Sequence, residues 1–133
     1  SPALAGGVLM TPEQLIAAAL AQRAQWVPLG EGKRVRMRRP SEFDMRGLVL
    51  RDADGTASGL KADLPEVKKF AIDWDGFKES DLIQGGADDV VPFHPEVFAV
   101  WVEDQRQAVT TLAQAIIDAV IAHEARRQEI EKN

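Results

Sequence analysis

The chain has 133 residues, 45% hydrophobic and 28% charged, with a net charge of −5 and a pI near 5.0. That length fits one domain built on one modest core, and the acidic balance argues against a molecule that binds nucleic acid over its whole surface. Cysteine is absent, which excludes a disulfide framework and thiolate chemistry, and no apolar run approaches the roughly 20 residues needed to span a bilayer.

The opening "SPALAGGVL" has neither the basic start nor the apolar centre of a signal peptide. Residues 1–10 are therefore set apart as a flexible N-terminus or an expression remnant, with Met10 as a plausible natural start. Residues 11–133 are read as a single domain. "TPEQLIAAALAQRAQW" predicts a helix: Thr11 caps it, Pro12 suits the first helical position, and Gln14 completes a capping box. Leu15, Ile16, Ala19 and Leu20 form one apolar stripe at helical spacing, and Pro28 and Gly30 end the element.

"KRVRMRR" alternates, with Arg34, Arg36 and Arg38 on one side and Val35 and Met37 on the other. That is a half-buried strand closed by Pro40, with its cations read as the wet face of a protected edge. Ser41 caps a short helix through "SEFDMRG". "LVLRD" reads as a second strand, followed by the turn "DADG" and the loop "TASGLKAD", so that a small two-stranded element is expected. From Leu64 to Phe77 a helix is predicted, with Val67, Phe70, Ala71 and Trp74 three and four apart and Gly76 stopping it. "IQGGADD" reads as a mobile loop, and another helix starts at Pro95 with His94 in the cap position. The last segment carries Val109, Leu112, Ala113, Ile116, Ile117, Val120 and Ile121 in an unbroken stripe, a long amphipathic C-terminal helix, with fraying expected beyond Ala125. The fold class is mainly α with a small β element, α+β, of four to five helices.

Catalytic and metal motifs fail on inspection. "HEARR" places Arg127 where a zinc-protease helix needs its second histidine, and His123 reads as a solvated residue near a helix end. "DADGTASG" puts Thr56 and Ala57 at the fifth and sixth positions of a calcium loop, where a ligand and a glycine are required. The glycines of "IQGGADD" lack the lysine and hydroxyl of a phosphate loop. No catalytic residue, cofactor site or metal site is assigned, and the chain is read as a non-enzyme. Five positive charges lie within 33–39, while Asp73, Asp75, Glu79, Asp81, Asp88 and Asp89 oppose Lys78 alone within 73–89. Arg34, Arg36, Arg38, Asp73, Asp75, Asp88 and Asp89 thus mark an electrostatic patch. Satisfaction within one monomer is its first reading, self-association of copies the second, and nucleic acid the last.

The stretch "WDGFKESDLIQGGADDVVPFHPEVFAVW" resembles the tail assembly chaperones of long-tailed, siphovirus-like bacteriophages. The family's Trp-x-Gly-hydrophobic step corresponds to Trp74, Gly76 and Phe77, and its later step of Val-Pro-Phe, a small residue and Pro-Glu to Val91, Pro92, Phe93, His94, Pro95 and Glu96. "KRVRMRRPSEFDM" is similar to the family's strand running into a proline and a polar helix start. The resemblance covers roughly residues 30–125, and His94 departs from the usual small cap.

It implies a non-catalytic protein of the host bacterial cytoplasm, absent from the mature virion. The implied partner is the tape measure protein, kept soluble while tail tube subunits polymerise around it. A frameshifted longer form would reach the tail tube protein, and the ending "EKN" fits the short form. Trp74, Phe77, Phe93, Phe98 and Trp101 are expected to clasp two helices across the loop and, where exposed, to bind the partner. A head–tail connector or tail completion protein is the alternative, and a small nucleic-acid-binding regulatory domain a further one. No membrane partner is expected.

Overall fold

In the computed structural model the described residues are 9–132; Ser1–Val8, most of the segment set apart above, and Asn133 lie outside them. Helix α1 (Pro12–Gln22) starts with the capping box its sequence promises: Thr11 Oγ1 accepts from the Gln14 amide at 3.2 Å, and Gln14 Oε1 accepts from the Thr11 amide at 2.9 Å. Its stripe does not enter the core. Leu15, Ile16 and Leu20 are 44%, 60% and 48% exposed.

The helix also stops sooner than periodicity suggests, because Ala24–Gly30 is strand β1. Long-range pairing decides this segment. β1 is antiparallel to β2 (Lys33–Arg38), with Val27 opposite Val35 and Trp26 opposite Arg36. Pro28 is tolerated because β1 is an edge strand, where a missing N–H costs no ladder bond. Glu31 (φ 55°) and Gly32 (φ 77°) form the intervening turn, with the positive φ at both central residues that tight hairpins favour.

β2 is the central strand, not a protected edge. Its other neighbour is β5 (Ala71–Asp75), giving the order β1–β2–β5. The expected helix over 64–77 is thus divided: α3 (Leu64–Phe70), capped by Asp63, ends where β5 begins. A bulge explains the misreading. Met37 pairs with Ala71 and Arg36 with Asp73, so Ile72 is an extra residue. Ala71 and Trp74 therefore both face the core three positions apart, a spacing that imitates a helix.

Between β2 and α3 lie α2 (Glu42–Met45), a 3-10 turn (Arg46–Leu48), and a hairpin of β3 (Val49–Arg51) with β4 (Ala57–Leu60). Part of the expected loop 56–63 is therefore strand, and the β content is one three-stranded sheet plus one hairpin. After β5 come α4 (Glu79–Leu82), α5 (Pro95–Val102) and α6 (Arg106–Lys132). Six helices are present among the described residues, more than the four or five expected.

One face of the sheet is covered. Val35 and Met37 from β2 and Trp74 from β5 join Val67 and Phe70 of α3, Phe98 and Val102 of α5, and Leu112, Ile116 and Val120 of α6 in one buried cluster. α6 contacts α3, α5, β1 and β2. It does not end at Ala125 but stays helical to Lys132. There Glu42 receives Arg127 at 3.3 Å and faces His123 Nε2 at 3.0 Å, so His123 is a link between α2 and α6, not a solvated side chain.

Candidate partner-binding groove

Gly76 makes the local geometry possible. It has φ 81°, and a β-carbon there would collide with the carbonyl of Gly32 in the β1–β2 turn, so only glycine lets the chain leave β5 so close to the hairpin. The reversal drops Phe77 under Trp74. Their rings stack with centroids 4.1 Å apart and planes 10° from parallel.

Phe93 meets Trp74 edge-on at 5.8 Å, Trp101 meets Phe77 edge-on at 4.8 Å, and Phe98 lies 6.1 Å from Trp74. Trp74 Nε1 donates to the carbonyl of Val91 at 2.7 Å, satisfying the one polar atom of the buried indole. All five rings singled out in the sequence thus touch. Trp74 and Phe77 come from a strand and its turn, however, not from a helix end as expected. Only Phe93 is half-buried; the other four are buried.

The acidic loop is tied down rather than mobile. Lys78 and Val90 form a bridge, Val91 N–H donates to Phe77 at 2.9 Å, Glu79 N–H to Asp89 at 3.0 Å and Ser80 N–H to Ala87 at 2.9 Å. His94 caps α5, its Nδ1 accepting from the Glu96 amide at 3.1 Å.

Between α4 with its loop and α5 opens a groove of about 850 Å³. Leu82, Ile83, Val91, Val97, Val100 and Trp101 line it with apolar surface. Ile83 is 60% and Val100 74% exposed, so the walls are mostly aliphatic; of the five rings the sequence pointed to, Trp101 lines the groove and the other four lie behind it. The missed signal is in α5: Val97, Phe98 and Trp101 face one way, yet Val100, off that face, is apolar as well.

Glu79, Asp81, Glu96 and Asp104 stand around this surface, and no lysine or arginine among the described residues lines it. Burial alone would raise the Asp81 carboxyl; the Lys78 amide and the Lys33 ammonium outweigh it and hold the group below its ordinary value.

The charged residues divide into three sets. Arg34, Arg36 and Arg38 share the open face of the sheet with Asp73 and Asp75. Arg34 bonds Asp75 at 3.0 Å with its guanidinium 4.1 Å from the Trp26 ring centroid, and Arg38 pairs with Asp44 at 3.3 Å over Phe70. Lys33 meets Asp81 at 3.1 Å. Arg36 opposes Asp73 in register, but Asp73 turns its carboxylate to the Trp74 amide at 2.9 Å. Asp88 and Asp89 lie apart, exposed in the loop. Much of the basic strip is therefore neutralised within the chain.

Among the described residues no group of three or more His, Cys, Asp or Glu side chains is arranged to hold a metal, and no helix is long and apolar enough to cross a membrane. No family model, curated protein or solved structure matches the chain.

Proposed function

We propose that the chain is a non-catalytic tail assembly chaperone of a long-tailed bacteriophage or prophage. It acts in the host cytoplasm, binds the tape measure protein while the tail tube assembles around it, and is left out of the finished virion. One observation carries this reading. The two sequence steps that resemble the family, Trp74–Phe77 and Val91–Glu96, converge in a single ring cluster joined by the Trp74–Val91 hydrogen bond, and an apolar groove opens beside it. A binding surface of that kind suits a reversible hold on an apolar client.

Co-expression with the tape measure protein tests it. The expected result is co-purification and a several-fold rise in soluble client, together with absence of the chain from purified particles by mass spectrometry. Recovery of the chain in stoichiometric amounts from particles would replace the chaperone with a head–tail connector or tail completion protein.

A further inference from the structure

We propose that the groove between α4 and α5 receives a helical segment of the client with an apolar face and lysine or arginine flanks. This rests on reading the protein as one that binds another chain, and adds which part of that chain it takes. The walls are built to be covered: Ile83 and Val100, 60% and 74% exposed, are aliphatic surface that water solvates poorly. Trp101 and Val97 continue the surface inward.

The surrounding charge has one sign. Glu79, Glu96 and Asp104 are exposed, and Asp81 is half-buried. Of these four carboxylates Lys33 pairs with Asp81, its other partner being Glu31 outside the groove; neither Glu96 nor Asp104 has an ion pair among the described residues.

A bound segment must fill the aliphatic trough and bring positive charge to its edges. Helical anchors at every third or fourth residue with basic flanks do both. An acidic helix would meet like charge across the rim. The chain's own α1 is apolar but carries only Glu13 and Arg23 between residues 11 and 23, so it lacks the complementary charge.

Three labelled synthetic peptides serve as probes against the full chain, read by fluorescence anisotropy. They are an amphipathic helix of about 18 residues, five turns, with leucine anchors and lysine flanks; the same helix with glutamate flanks; and residues 11–23 of this chain. The lysine-flanked helix should bind at least about tenfold more tightly than either other peptide, and its affinity should fall as salt rises. Val100→Glu and the pair Glu96→Lys with Asp104→Lys, all exposed and checked for unchanged thermal melting, should each weaken it by a similar factor. Equal binding of the lysine- and glutamate-flanked helices, or binding untouched by both variants, overturns the proposal. Preference for residues 11–23 assigns the groove to a second copy and overturns it too.

Pull-down of the tape measure protein separates the two levels. Capture that survives Val100→Glu sinks the groove and leaves the chaperone reading standing. Failure of the wild type to capture the client sinks the chaperone reading, while the peptides still judge the groove.

Discussion

Asp44 shows how much one partly buried carboxylate can hold. Its burial would push the group up, but the Ser41 amide, Lys69, Arg38 and the Ser41 hydroxyl together bring it down to about 2. A carboxyl depressed in the folded state stabilises the fold above its unfolded value near 3.9, and that contribution is lost as pH falls from there through about 2. Asp44→Asn should therefore cost about 1 kcal/mol at pH 7, reduced from the full shift by solvent screening of the pairs, and almost nothing at pH 2. Urea titrations at the two pH values check this. Gly76→Ala forces a side chain into positive φ against the Gly32 carbonyl and should cost more than about 2 kcal/mol. Arg34→Ala removes an exposed pair with Asp75 and should cost less than about 1 kcal/mol.

At the scale of elements, the ring cluster and α1 behave oppositely. Phe77 is fully buried, so Phe77→Ala should lose about 3–5 kcal/mol. Ile16 of α1 is 60% exposed, and its alanine variant should stay within about 0.5 kcal/mol. Chemical denaturation of both measures the contrast. No residue of α1 is buried, so its amides should exchange with solvent well before those of α6 around Leu112–Val120.

The same contrast marks what could be read from residues alone. Caps are local, and Thr11, Ser41, His94 and the prolines announced their helices. The strand β2 was legible because its alternation is strict. β1 and β5 were not, since each is held by partners distant in sequence, and the bulge at Ile72 replaced the period of two with a spacing of three. The glycine-flanked turn "GEGK" was the available hairpin signal. The groove was invisible because its walls come from α4, the loop and α5, and only the fold brings Ile83 and Val100 to one surface.

For the whole molecule, charge is arranged by face more than by net value. The sheet's open face places Arg34 and Arg38 against internal carboxylates, leaving Arg36 as the strand's outward cation without an ion pair among the described residues. Retention on immobilised DNA should accordingly be weak at about 0.15 M salt, where screening acts within roughly 8 Å, and reversal of Arg36 alone should change it little. Strong retention abolished by reversing all three arginines would favour a nucleic-acid role. The burial of Leu112, Ile116 and Val120 of α6 beside the sheet has a consequence in time. All three strands of that sheet have been synthesised by Asp75, yet the α6 segment that joins Val35 and Met37 in the buried cluster is made only later. A nascent chain halted before Leu112 should stay open to protease and to holdase chaperones, and productive collapse should wait for the α6 turns through Val120 that complete its interior.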